Sequence, residues 1–373
     1  MKKVIVIGGG AGGLMAAIEA GRTGAQVTIL EKANRVGKKL LKTGNGRCNL
    51  SNENISPEGY NCPEFVAPVL GAFSCRELRA FYQSIGLVTV SDAEGRVYPR
   101  SDSATSVLDI LRLAAVESGA EEVCSAEVTE IIPQNGSFQV NTAAGESFSA
   151  DKVILACGGG ESLTKKLGLK TVPYLPVLCP LKTDTSKIRG LSGLRAAALV
   201  NLLRNGKTIY AEQGEVLFRD YGVSGIVTLN MSRYAQKGDV LSLNLLPEQT
   251  AEETLAMLRS QPRQGTDILT GIFHRRLAEA LYGAARSTEA EALARCIRDF
   301  RLPVLGCGDT ANAQVTRGGL STEDFHTDTM ECKKIPGLYA VGEVLDVDGR
   351  CGGYNLHWAF SSGRCAGRSA CLD

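Results

Sequence analysis

Three glycines near the N-terminus have a spacing suited to one kind of ligand. Gly8, Gly10 and Gly13 follow the pattern G-x-G-x-x-G. In that pattern the first glycine permits a tight turn, the second lets the backbone approach a pyrophosphate, and the third lets a helix pack closely on a strand. Ala11 and Gly12 lie between them, where the free N–H groups of a helix start would point at phosphate oxygens. Glu31 follows about 20 residues on, where an acid accepts hydrogen bonds from a ribose, with Lys32 beside it. The elements needed to hold these residues surround them. Val4 to Ile7 is a β-branched run that predicts a buried strand. Leu14, Ala17, Ile18 and Gly21 recur at i, i+3, i+4 and i+7, one face of a helix. Val27 to Leu30 predicts a second strand. A glycine turn alone is a weak signal. Strand, helix and acid together make a dinucleotide site the better reading.

Bulk properties narrow the function class. The 373 residues carry 41 basic and 40 acidic side chains, a formal net charge of +1. That balance gives no electrostatic case for nucleic acid or a membrane surface as partner. Apolar content of 44% suits a soluble globular protein of two or three domains. No apolar run is long enough to span a bilayer. The apolar start runs directly into three glycines and lacks a cleavage site, so it is not read as a secretion signal. The 12 cysteines contain no C-x-x-C pair and read as reduced core thiols of a cytoplasmic protein. The 3 histidines have no ligand spacing with cysteines, so no metal site is expected.

The chain order predicts an α/β fold with an insertion. Residues 74–86 and 103–119 read as helices, with Ser103 as a cap. Residues 128–132, 138–142 and 147–150 read as strands with turns at Asn135-Gly136 and Ala144-Gly145. DKVILACGGG, residues 151–160, is a buried strand ending in glycines. Segments 196–203, 207–211, 215–219 and 240–246 read as strands, and Asn205-Gly206 marks a hairpin. Residues 251–300 read as helical, with capping-box spacing at Thr288 and Glu291. The final section returns to strand, glycine loop and helix. We therefore expect a discontinuous Rossmann-like domain from 1–185 and 321–373, with a β-rich insert from 186–320 whose helical part spans about 250–300. A substrate site at their junction would follow common practice.

Several segments in order resemble the HI0933-like bacterial flavoprotein family, of the two-dinucleotide-binding-domain type. They are VIGGGAGGLMAA, KKLLKTGNGRCNLSN, GRVYPRSDSA, VILACGG, PVLCPL, GEVLFRDYGVSG and GLYAVGEVLDVDGRCGGYNLHWAFSSG. The second and last are long and specific. The resemblance implies FAD as the cofactor. It also implies that Lys39, Arg47, Cys48 and Asn49 lie in a loop over it, with Arg47 able to balance its charge. Val128 is implied to meet adenine through its backbone, and Gly158 and Gly159 to let the chain pass the dinucleotide. Gly342 and Glu343 would lie beside the ribityl or pyrophosphate part. Gly352, Gly353, Tyr354, Asn355 and Leu356 would lie under the isoalloxazine, where helix N–H groups stabilise negative charge. His357 stands where the family more often has Gln, either as a proton relay or as a helix residue packed inward. Arg317 is a candidate anchor for an anionic substrate or a plain surface arginine.

The resemblance implies an FAD-dependent oxidoreductase acting on a small molecule. The favoured reaction is NAD(P)H-supported reduction of a conjugated C=C bond in a hydrophobic carbonyl compound of bile-acid or steroid type. No second glycine fingerprint marks a nicotinamide domain, so NAD(P)H would visit transiently. The alternatives are an oxidase of a small aminoketone such as aminoacetone, with oxygen as acceptor, a non-catalytic flavin redox sensor, and an NAD-only dehydrogenase.

Overall fold

The computed structural model describes residues 1–159, 161–308, 313 and 315–372. The chain divides into two compact units, Met1–Leu175 with Val315–Asp373, and Pro176–Gln314. The sequence expectation placed the boundaries at 185/186 and 320/321. Residues after 314 belong to the first unit because Ser321 N–H donates to Lys170 O at 2.8 Å and Asp346 N–H to Leu320 O at 2.8 Å.

The first unit is built on a five-stranded parallel sheet. Its strands are β1 (Lys3–Ile7), β2 (Gln26–Glu31), β3 (Glu121–Cys124), β4 (Lys152–Leu155) and β5 (Leu338–Ala340), in the order β5-β4-β1-β2-β3. Ile5 pairs with Thr28 on one side and Val153 on the other. Val4 to Ile7 are all buried, as a strand covered on both faces requires. The helices used below are α1 (Ala11–Arg22), α2 (Ala104–Glu117), α3 (Arg275–Ala285) and α4 (Tyr354–Ser369). Helix α1 lies against α4, and its Leu14, Met15 and Ile18 are fully buried. Strands Val128–Gln134, Ser137–Thr142 and Ser147–Ala150 form the expected antiparallel meander.

The second unit contains a closed six-stranded barrel and helices, with its own core around Leu181, Phe218, Leu243, Leu281 and Ile297. The hairpin at Asn205-Gly206 forms, with φ of 50° and 77° at the two turn residues. Several local expectations need correction. Segments 207–211 and 215–219 are one strand, Lys207–Arg219, because the polar stretch between them continues the pairing with Arg195–Arg204. The helical stretch is three helices, Ala251–Arg259, α3 and Ala290–Arg298. The last begins after Glu289 with no side-chain cap, so Thr288 and Glu291 form no capping box. That motif occurs instead at Thr250 and Glu253, which exchange both bonds. Ser103 precedes α2 without a side-chain capping bond. The strand expected over 151–160 is β4 alone, and Gly160 lies outside the described residues.

Candidate active site

The glycine turn follows directly from β1. Gly8 has a φ of 103°, and a Cβ on Gly13 would stand 1.9 Å from Gly8 O, so the turn and the first turn of α1 are in backbone contact. Gly10 caps α1 without a side-chain bond, and a Cβ there would meet no atom within 4 Å. The first turn of α1 holds no acid. Its N–H groups at Ala11, Gly12 and Gly13 have no carbonyl one turn earlier to bond. They stand at the positive end of the helix dipole. A pyrophosphate fits this arrangement.

Glu31 ends β2 and is held there. Its Oε2 accepts from Gly9 N–H at 2.8 Å and its Oε1 from Ala33 N–H at 2.8 Å. Each oxygen keeps acceptor capacity for a ribose hydroxyl. Ala126 N–H donates to Glu31 O at 2.9 Å, which brings the start of the 128–134 strand, and so Val128, next to Glu31. Lys32 is exposed beside it. Ala156 N–H donates to Ile7 O at 2.8 Å, so Gly158 and Gly159 follow β4 at the same edge as the glycine turn.

The C-terminal return is tied onto α4 by contacts that sequence reading did not find. Gly342 N–H donates to Ser362 Oγ at 3.0 Å, and Trp358 Nε1 donates to Gly342 O at 3.2 Å. Thr316 N–H donates to Glu343 Oε1 at 2.7 Å, and Lys39 pairs with the other carboxylate oxygen. Lys39 and Glu343 are therefore joined across the chain. Asn61 binds the backbone on both sides of Val347, donating to Asp346 O at 3.1 Å and accepting from Asp348 N–H at 2.9 Å. The only hint of these in the sequence is that polar residues stand on otherwise apolar stretches.

Helices α1 and α4 cross at glycines. A Cβ on Gly363 would stand 2.4 Å from Gly12 O, and one on Gly367 would stand 2.4 Å from Ala16 O. Both contacts advance by one turn in the same direction, so the helices run parallel. Gly12 also faces Ala359 O, which a Cβ on Gly12 would approach to 3.0 Å. Helix α4 therefore starts about 10 Å ahead of α1, at 1.5 Å per residue. The two helix N-termini point the same way and are staggered. Such a pair suits a long cofactor with phosphates at one end and a ring that gains negative charge at the other.

The start of α4 is fixed by its own loop. Gly353 has a φ of 98°, and a Cβ there would stand 2.2 Å from Ser51 O. With its amide oriented by these partners, Asn49 donates to Ser51 O at 2.9 Å and accepts from Gly353 N–H at 3.1 Å. Gly352 O accepts from Asn52 at 3.0 Å. Asn355 closes the loop on itself, with Nδ2 donating to Gly349 O at 2.8 Å and Oδ1 accepting from Gly349 N–H at 2.9 Å. Leu356 is half-buried against the core.

Other candidate residues have structural duties. Arg47 is paired with Asp102 and stacks over Tyr98 at 4.3 Å. Cys48 is fully buried, and burial pushes its thiol up to about 12. Tyr354 is buried, its hydroxyl donating to Asn54 O at 3.0 Å and accepting from Arg350 at 2.6 Å. It is not poised to hand a proton to a substrate. His357 is fully buried, with Nε2 donating to Phe73 O at 3.1 Å and Nδ1 2.8 Å from Ser51 Oγ. Burial pulls its pKa down to about 4, so it stays neutral and serves packing rather than proton relay. Arg317 Nε stands 3.7 Å from the buried Asp348. Burial raises the carboxyl of the neighbouring Asp346 above its usual range.

The family model described as the HI0933-like protein Rossmann domain matches residues 2–369. A 3-dehydro-bile acid delta(4,6)-reductase of Clostridium scindens is 35% identical, over 99% of each chain. A ribosomal RNA dihydrouridine synthase of Escherichia coli is 29% identical, over 96% of this chain and 95% of its own. Among solved structures, the 3-ketosteroid-delta4-(5alpha)-dehydrogenase of Rhodococcus jostii RHA1 superposes with a TM-score of 0.49 at 15% identity, covering 100% of this chain and 97% of its own. A flavocytochrome c3 fumarate reductase does so with a TM-score of 0.48 at 18% identity, covering 100% and 79%. No helix among the described residues is long and apolar enough to cross a membrane. The chain belongs to the HI0933-like family and is an FAD-dependent oxidoreductase with a Rossmann-like cofactor domain.

Proposed function

We propose that this protein uses NAD(P)H to reduce a C=C bond conjugated with a carbonyl in a hydrophobic small molecule, of the bile-acid or steroid class. The supporting observation is the identity, over essentially the whole of both chains, with the Clostridium scindens reductase. When bound, FAD supplies hydride transfer at its N5, while the protein supplies position and electrostatics. In this reading Gly8, Gly10, Ala11, Gly12 and Gly13 hold the pyrophosphate. Glu31, Lys32 and Val128 hold the adenosine end. Gly158 and Gly159 leave room for the chain to pass. Lys39 and Asn49 hold the covering loop in place, and Arg47 and Cys48 shape it. Gly342 and Glu343 lie along the ribityl part, and Gly352, Gly353, Tyr354, Asn355 and Leu356 place the helix start under the ring. The overall reaction consumes NAD(P)H and a proton, and that proton does not come from Tyr354 or His357.

A second reading takes its substrate from the Escherichia coli relative: a pyrimidine of ribosomal RNA. Dihydrouridine also arises by saturating a C=C bond conjugated with a carbonyl, so the bond chemistry is shared. The net charge of +1 favours the hydrophobic small molecule over a polyanion. Anaerobic mixing with NADH and with NADPH tests the donor. Loss of the visible flavin absorbance with either supports a reductase. Failure with both, together with hydrogen peroxide release from aminoacetone in air, makes the protein an aminoketone oxidase instead.

A further inference from the structure

The second unit carries a basic cavity that the redox reading does not use. It has a volume of about 700 Å³ and lies between the turn at 186–190 and helix α3. Lys187 and Arg189 line it from the turn, Arg276 and Arg286 from the helix. Two of them are held by backbone: Arg276 donates to Gly190 O at 2.8 Å and Lys187 to Arg301 O at 3.1 Å. Three carboxylates also face this group. Glu279 lines the cavity and pairs with Arg275 at 3.0 Å, Asp184 is held below its usual range by Ser186 and then by Lys187 and Arg189, and Asp299 pairs with Arg301 at 2.8 Å. Among the described residues none of the four cations stands in a salt bridge.

Four cations around one concavity repel each other, and an anion between them removes that cost. Guanidinium groups match phosphate oxygens in paired hydrogen bonds. The helix wall is bare, since a Cβ on Gly283 would meet no atom within 4 Å. The volume is in the range of small-molecule pockets. We propose that this cavity binds the phosphates of a nucleotide carrying at least two phosphate groups. A single local pocket on a chain of near-zero net charge favours a free nucleotide over an RNA strand, which needs a charged track.

The test uses the full chain loaded with FAD, so that the cofactor's own adenosine site is filled. Inorganic pyrophosphate, ADP and 2′,5′-ADP are titrated calorimetrically at low and moderate salt. Three variants keep folding from confusing the result. Arg189→Ala removes an exposed cation. Arg286→Gly removes another at a position with a φ of 51°, where glycine is the less strained residue. Gly283→Leu fills the cavity and raises helix propensity. Binding that weakens with salt, falls tenfold or more in the two arginine variants and is lost in Gly283→Leu, with flavin content unchanged, is the expected result. A preference for 2′,5′-ADP over ADP names an NADP-type ligand, and the reverse names an ADP-type one. The proposal is overturned if none of the three probes binds, if the variants bind them as the parent does, or if only a short RNA binds.

Discussion

Ser51 donates its hydroxyl hydrogen to Nδ1 of His357 at 2.8 Å, and this bond decides what the histidine is for. The opposite ring nitrogen faces Phe73 O, a carbonyl that can only accept, so Nε2 carries the proton. A ring with both nitrogens engaged and no exposure is part of the core.

The pH dependence follows. The pKa of His357 falls from 6.5 to about 4 on folding, so the unfolded chain binds more protons between those values. Stability is then fully present above pH 6.5 and lost progressively as pH falls toward 4, by about 3 kcal/mol over the window. His357→Gln is expected to flatten this dependence in denaturant unfolding at pH 5 and pH 7, and to leave reduction of the flavin intact. An unaltered pH profile with lost flavin reduction would instead make the histidine a participant in the chemistry.

Glu31 orders the first turn as well as facing the expected ribose. Its removal frees Gly9 N–H and Ala33 N–H, each bonded at 2.8 Å, and hydrogen bonds to a charged group are worth about 1.5–3 kcal/mol. Glu31→Ala is expected to weaken FAD retention at least tenfold. The ratio of FAD to protein after gel filtration measures it, and an unchanged ratio would remove Glu31 from the cofactor site.

The crossing of α1 and α4 tolerates no side chain at its centre. Gly363→Ala places a methyl group 2.4 Å from Gly12 O. Forcing extra volume into a packed contact costs about 1–3 kcal/mol. The expected result is a lower melting temperature and a weaker hold on FAD in the same variant, because the two helix starts move apart. A melting temperature equal to that of the parent would show that the helices are not in contact at this point.

The glycine turn and the elements around it were legible in the sequence because their signals are local. The turn from Gly8 to Gly13, the strands around it and Glu31 lie within one stretch of chain, where spacing alone carries the geometry. The hairpin at Asn205-Gly206 was readable for the same reason. What sequence reading missed joins distant residues: Ser51 with His357, Lys39 with Glu343, Trp358 with Gly342. Arg47 is a further case, since its partner Asp102 lies 55 residues along the chain. The Thr288 and Glu291 spacing misled because a capping box also needs the helix to begin at the right residue, and this one begins at Ala290.

The most direct test of the proposed reaction is a half-reaction without oxygen. The FAD-loaded protein is reduced under argon with NADPH or NADH, and a steroid enone is then added. The expected outcome is that the visible flavin absorbance, lost to the donor, returns with the enone, and that the product carries two added hydrogens at the former double bond. Absorbance that neither donor removes, or that returns only when oxygen is admitted, would contradict the assignment.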